Sequence, residues 1–177
     1  MSSYRRDFTI GLRETQDFYL ALALGRWRKG ILGFALAGAL AGFMYTAGAG
    51  IGWGLRAAAV LGTAAAAAAV TALVLTVSTL VRVKNQVKSS GREAYVQETE
   101  INGFGVHVTV GKDKAKLGFS DLLRVQETGK AFYLFLSDSQ AWILPKKQME
   151  DPQSECARLR ELFTTVIERG RLKLKKD

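Results

Sequence analysis

The chain has 177 residues and a net charge of +9, and the basic residues are spread along its length. The single cysteine, Cys156, excludes an intramolecular disulfide and agrees with a reducing compartment such as the cytoplasm. No nucleic-acid-binding motif accompanies the positive charge, so we expect no nucleic-acid partner.

The first 29 residues predict a strand followed by an amphipathic helix. Phe8, Ile10 and Leu12 alternate with Thr9 and Gly11, a period of two that is typical of a strand. Residues 15–24 then follow a helical pattern that leads towards the first apolar stretch. We expect the strand to join the sheet of the C-terminal region as a seventh strand.

Two uncharged stretches, residues 30–55 and 57–81, are separated only by Arg56. A helix crosses the hydrocarbon core with about 20 mainly apolar residues, so each stretch is long enough to span a membrane. One continuous helix over both would be more than twice as long as the core is thick. We therefore predict a transmembrane hairpin over residues 30–81 with its turn near residues 48–56, where clustered glycines, Trp53 and Arg56 favour an interface.

Basic residues flank the predicted hairpin on both sides, whereas the turn holds Arg56 alone. The flanking residues are Arg26, Arg28 and Lys29 before it, and Arg82, Lys84, Lys88 and Arg92 after it. The positive-inside rule then puts both termini in the cytoplasm. We expect a multi-pass protein of the cell membrane with two spans.

Alternatives to an anchoring hairpin differ in strength. The length of the first stretch and the second stretch directly after it disfavour a signal peptide. A buried hairpin of a soluble protein stays open, because the six alanines at residues 64–69 are only weakly hydrophobic. A channel or transporter is disfavoured because neither span contains an ionisable residue.

Gly38 and Gly42 form a GxxxG pair within the first span. Small residues allow helix backbones to approach closely in lipid, so these two glycines are candidate helix-packing residues. Packing between the two helices of one hairpin is favoured over contact between two copies, which leaves a homodimer as an alternative.

Beyond residue 81 the pattern changes to short alternating segments that are separated by turn residues. They predict six strands, at residues 94–101, 104–110, 114–119, 122–126, 131–136 and 141–144. Asn102-Gly103 predicts a type I′ hairpin, because both central positions of that turn favour positive φ. Asp151 as N-cap and Pro152 at the first position then predict a helix over residues 152–169, which Gly170 ends.

We identify no catalytic, cofactor-binding or metal-binding residue and expect no cofactor. His107 is the only histidine, and Cys156 lies on the apolar stripe of the last helix, where core packing is the simpler interpretation. Candidate contacts to anionic lipid headgroups are the basic residues Lys146, Lys147, Arg169, Arg171 and Lys173.

The order of a strand and helix, two adjacent spans and a small domain resembles the YcxB-like family of bacterial membrane proteins. The resemblance covers the whole chain and is most specific at residues 119–149, which end with the sequence AWILPKKQM. It implies a cytoplasmic domain of pleckstrin-homology-like (PH-like) fold, a strongly bent sheet that a C-terminal helix caps. The family has no established catalytic activity, so the resemblance transfers no functional residues.

The expected fold class is an α+β membrane protein, with a two-helix transmembrane hairpin and a small PH-like bent antiparallel β domain capped by a C-terminal helix. Residues 1–29 and 82–177 are the expected cytoplasmic parts. The expected function is a non-enzymatic, membrane-tethered binding or regulatory module whose partners are the lipid bilayer, an unknown protein and anionic lipid. The alternative is an accessory subunit of a larger transport or envelope complex that assembles through the small-residue helix faces.

Overall fold

The computed structural model describes residues 3–89, 91 and 94–174, without the side chains of Leu24 and Arg26. Of the flanking charges named above, Arg92 and the side chain of Arg26 therefore lie outside the described residues. The chain forms two compact units. Residues 1–18 and 86–177 make the first, here called the sheet unit, and residues 19–85 make the second, here called the helical hairpin.

The sheet unit contains two four-stranded sheets followed by a helix, so the α+β class is confirmed. The first sheet has the order β1-β2-β3-β4 and is antiparallel throughout. The second has the order β7-β6-β5-β8, in which only the β5–β8 pair is parallel. The elements are β1 Tyr4–Gly11, β2 Ala94–Asn102, β3 Gly105–Val110, β4 Asp113–Gly118, β5 Arg124–Glu127, β6 Ala131–Phe135, β7 Ala141–Pro145, α3 Pro152–Val166 and β8 Leu172–Lys173. This arrangement is compatible with the PH-like fold that the resemblance implies.

The predicted pairing of the N-terminal strand with the later sheet is confirmed. β1 pairs with β2 from Tyr4 opposite Ile101 to Gly11 opposite Ala94. Phe8 and Ile10 point to the inner face of the sheet and are buried. The expected total of seven strands is one too low, because β8 is only two residues long and has no alternation from which a strand could be predicted.

Aromatic side chains pack on both faces of β6, all five of whose residues are buried. On one face the Phe18 ring lies 5.4 Å from Tyr133 and 5.8 Å from Phe135. On the other face Phe132 lies 6.1 Å from Phe163 of α3. The aromatic cluster is therefore core, and it leaves no exposed platform on which bases could stack.

Two local predictions need correction. A hairpin does follow β2, but its central residues are Gly103 and Phe104, and neither they nor Asn102 has the positive φ of a type I′ turn. The Asn102 Oδ1 atom accepts hydrogen bonds from the backbone N–H groups of Phe104 (3.0 Å) and Gly105 (3.2 Å), which holds the turn instead. Helix α3 ends at Val166 rather than residue 169, because Ile167 is extended and buried and leads the chain towards β8.

The helical hairpin comprises most of α1 (Leu12–Ala47) and α2 (Trp53–Ser89). Residues 48–52 connect the helices, and Gly50 has a φ of 59°, which favours glycine. Two segments are long and apolar enough to cross a membrane, Trp27–Ala47 and Trp53–Ser89. Large apolar side chains such as Leu36, Leu40 and Leu73 are more than 60% exposed along them, as expected of a surface that faces lipid.

Glu155 on α3 connects the N-terminal strand to the C-terminal helix. Its Oε2 atom accepts a hydrogen bond from the Tyr4 hydroxyl at 2.8 Å, and its Oε1 atom accepts the Glu150 backbone N–H at 2.9 Å. The Arg6 guanidinium lies 3.7 Å away. Burial raises the pKa of this carboxyl, but the bonds from Tyr4 and the backbone outweigh burial and hold the pKa below its usual value.

We expect Glu155→Gln to lower the free energy of unfolding by about 1–3 kcal/mol at pH 7, because hydrogen bonds to a charged acceptor are lost. A lowered pKa means that this stabilisation is present above the unfolded-state pKa of about 4.3 and is lost as the pH falls through the folded-state value. Urea denaturation of the full chain in mild detergent at pH 7 and pH 3.5 measures both effects. Glu161→Gln, an exposed change on the same helix, is the control and should stay within about 0.5 kcal/mol. A destabilisation by Glu155→Gln that is unchanged at pH 3.5 would contradict the role of its charge.

Candidate functional site

The titratable groups of the sheet unit do not form a metal-binding cluster among the residues described. No group of three or more His, Cys, Asp and Glu side chains there could hold a metal ion. Cys156 is buried, with its Sγ atom 3.9 Å from the sulfur of Met149. Burial raises the pKa of this thiol, which disfavours the nucleophilic thiolate.

Lys146, a predicted headgroup contact, is instead bound to a buried carboxylate. The side chain of Glu127 is fully buried and pairs with both Lys146 and Arg160. The Arg160 guanidinium donates to the two carboxylate oxygens at 2.9 and 2.8 Å, and Lys146 also lies 4.9 Å from the centre of the Phe132 ring. A buried carboxylate needs such compensation, so the charge of Lys146 stabilises the fold.

Lys147, the next residue, is exposed and belongs to a basic cluster at one end of the second sheet. Lys147 lines a small cavity of about 70 Å³ together with Arg13 and Lys130. Lys173 lies near the same end of the sheet. Its strand β8 runs parallel to β5, and Lys173 lies opposite Gln126, close to the turn that contains Lys130. We call Arg13, Lys130, Lys147 and Lys173 the basic end of the sheet unit.

The basic end is arranged around an ion pair and a buried tyrosine. The Lys130 ammonium lies 2.5 Å from the Asp17 carboxylate. The backbone carbonyl of Lys130 accepts a hydrogen bond from the backbone N–H of Lys146 at 2.9 Å. Tyr133 lines the same cavity, and its burial, with a smaller contribution from the nearby Asp17 charge, raises its pKa to about 12. The tyrosine therefore stays neutral, and the exposed cations set the charge of this surface.

The five predicted headgroup contacts are not brought together. Lys147 and Lys173 lie at the basic end, whereas Arg169 and Arg171 precede β8 and lie at its other end. Arg171 donates hydrogen bonds to the carbonyls of Ser120 (3.0 Å) and Leu122 (2.8 Å), which anchors the chain before β5. No sequence pattern points to Arg13 and Lys130, since only the tertiary structure places the start of α1 beside the β5–β6 turn.

His107 lies on the outer face of the first sheet, opposite to the buried valines of β3. The register aligns Arg5, Glu100, His107 and Lys116 in one row across the four strands, and Asp7, Glu98, Thr109 and Lys114 in the next. All of these residues except Asp7 line a shallow cavity of about 320 Å³, and we call the surface that the two rows form the polar sheet face. The His107 Nε2 atom is buried there without a hydrogen-bond partner in the described part of the chain.

Gly38 and Gly42 lie where α1 and α2 contact each other in the helical hairpin. A Cβ atom at Gly38 would lie 2.7 Å from the Thr63 carbonyl oxygen, and one at Gly42 would lie 2.2 Å from the Thr63 Oγ1 atom. Only glycine allows this approach. The two positions therefore pack the helices of one hairpin together, the interpretation that the sequence favours.

Comparison with known proteins finds a family model that matches part of the chain. Residues 101–161, from the end of β2 into α3, match a family model described as YcxB-like protein. This segment includes residues 119–149, on which the resemblance most depends, and the resemblance is confirmed over residues 101–161. No curated protein and no solved structure matches the chain.

Proposed function

We propose that the protein is a membrane-tethered binding module, because residues 101–161 match the YcxB-like family model and two apolar helices interrupt the sheet unit. The helical hairpin is the anchor, and the sheet unit is displayed at the cytoplasmic face. Tethering is the mechanism: confinement near a partner raises the effective concentration of a weak binding surface.

The observation that carries this proposal is the pairing of β1 with β2. The two strands lie on either side of both candidate spans in the chain, yet they are neighbours in one sheet. A sheet cannot form across a bilayer, so the segments before α1 and after α2 must be on the same side. The pairing thus supports an even number of crossings by an argument that is independent of hydropathy.

The charge distribution supports the cytoplasmic side. Basic residues flank the hairpin near both of its ends, whereas Arg56 in the first turn of α2 is the only basic residue between residues 30 and 81. Cys156 as a free thiol agrees with a reducing compartment.

We assign the contact with anionic headgroups to the basic end. Arg13 belongs to this cluster, and residues 14–29 separate it from the first uncharged stretch, which begins at Gly30. Exposed lysines near a negatively charged leaflet are attracted by roughly 1 kcal/mol each. Lys146 and Arg171 are left out of this surface because their partners hold them with side chains only 13% and 32% exposed, whereas Lys130 stays 64% exposed beside Asp17.

A binding role is favoured over catalysis because the carboxylate and thiol groups that could act as a base or a nucleophile are buried and have structural partners. Glu127 is compensated by two cations, and Cys156 is packed against Met149. The accessory-subunit alternative loses its proposed contact, since Gly38 and Gly42 already pack within the hairpin.

We expect cysteine labelling to place both flanks of the hairpin in the cytoplasm. In a Cys156→Ala background, Ser3→Cys and Ser89→Cys should react with a membrane-impermeant maleimide only after cells are permeabilised. Ala49→Cys, which is exposed in the connecting turn, should react in intact cells. Labelling of Ser3→Cys and Ser89→Cys from opposite sides would contradict the proposed topology.

Lysine footprinting tests the basic end. In nanodiscs of the full chain, anionic lipid should reduce acetylation of Lys130, Lys147 and Lys173 by up to about fivefold relative to neutral lipid, the factor that corresponds to ~1 kcal/mol. Lys112, exposed in the β3–β4 turn, is the internal control and should keep its reactivity. Equal reduction at Lys112 and at the basic end would argue against a defined headgroup surface.

A further inference from the structure

The first sheet has one edge strand, β1, that a side chain caps at Thr9, and one edge strand, β4, that is open. At the β1 edge, the Gln148 side chain accepts the Thr9 backbone N–H at 2.7 Å and donates to the Thr9 carbonyl at 2.7 Å. At the other edge, β4 pairs only with β3 among the residues described, and its first four residues are exposed. An open edge of this kind presents unpaired backbone groups to a further strand.

The register shows which backbone groups are available. The β3–β4 hairpin closes with Val110 opposite Asp113 around a two-residue turn, in which Gly111 has a φ of 60°. Such a closing pair exchanges hydrogen bonds, and bonded and non-bonded pairs then alternate along an antiparallel ladder. Asp113, Ala115 and Leu117 therefore bond to β3, whereas the N–H and C=O groups of Lys114 and Lys116 point outward.

The side chains of these two lysines give the open edge a charge preference. Lys116 ends the row that contains Glu100 and His107, and Lys114 ends the row that contains Glu98. A residue that pairs with either lysine on an added strand would lie beside it on the polar sheet face. Opposite charges stabilise such cross-strand pairs and like charges destabilise them, so the added residues should be acidic.

We propose that β4 binds an extended acidic segment of a partner protein by strand addition. Aspartate or glutamate at alternate positions pairs with Lys114 and Lys116, and a small apolar residue between them lies opposite the exposed Ala115. Main-chain hydrogen bonds supply affinity, and the two lysines select the charge pattern. This inference rests on the proposed function only in so far as the sheet unit is a binding module.

A second copy of this chain is a poorer occupant of the same edge. An antiparallel β4–β4 contact centred on Ala115 would set Lys114 of one copy opposite Lys116 of the other, a like-charge pair. The two edge strands of the second sheet, β7 and β8, contain no acidic residue that could face these lysines. Charge thus disfavours self-association at β4 and favours a foreign acidic strand.

Peptide binding to the full chain in neutral-lipid nanodiscs tests the proposal. The probes are a fluorescent nonapeptide of alternating valine and glutamate, the same peptide with lysine for glutamate, and a scrambled peptide with its glutamates adjacent. The alternating acidic peptide should bind most tightly. The double variant Lys114→Glu/Lys116→Glu should raise its Kd about tenfold or more and should improve binding of the lysine peptide. Lys112→Glu, which makes the same charge change in the adjacent turn, should leave the Kd within about twofold.

Backbone methylation of the probe separates strand addition from general charge attraction. N-methylation of the glutamates, whose N–H groups would bond to β4, should abolish binding, whereas N-methylation of the valines should be tolerated. Equal binding of the alternating and scrambled peptides, no loss on glutamate methylation, or no binding of any probe would each overturn the proposal. None of these outcomes bears on which side of the membrane the sheet unit occupies, so the proposed topology can fail or hold separately.

Discussion

The pairing of β1 with β2 is the constraint on which the rest of the structure depends. It brings Phe8 and Ile10 into the core and places Tyr4 and Arg6 beside Glu155 of α3. It also closes a long loop that contains both candidate spans, so it costs loop entropy that the buried side chains must offset. Once it has formed, the ends of the helical hairpin are held on one side of any membrane that the hairpin crosses.

Burial, more than charge alone, decides what the basic residues do. Lys146 and Lys147 are adjacent in sequence, yet the first compensates the buried Glu127 carboxylate and the second is exposed at the basic end. The same division separates Arg171, which donates to two carbonyls, from Lys173 two residues later. The surfaces proposed for lipid and for an acidic strand are therefore made of lysines and one arginine that the fold leaves exposed.

Features that depend on local sequence patterns could be predicted, whereas features that depend on long-range contacts could not. The two spans, the strands from residue 94 onwards and the Asp151 cap follow from composition, period and turn residues, which act over a few positions. β8 has only two residues, too few for a periodic pattern. The partners of Glu127 are distant in sequence, since Lys146 directly follows β7 and Arg160 lies on α3. The Asn102 turn was assigned wrongly because its side chain, and not positive φ, holds the hairpin.

A disulfide across β1 and β2 tests the central pairing most directly. Thr9 lies opposite Val96, and its backbone bonds to Gln148, so this is a non-bonded pair whose Cα atoms should be about 4.5 Å apart, within disulfide range. In full-length Cys156→Ala protein with a protease site inserted after Ala49, oxidised Thr9→Cys/Val96→Cys should keep the two fragments linked until reduction. The off-register pair Thr9→Cys/Glu98→Cys should link poorly. Fragments that separate equally in both variants would contradict the pairing and, with it, the shared side of the two flanks.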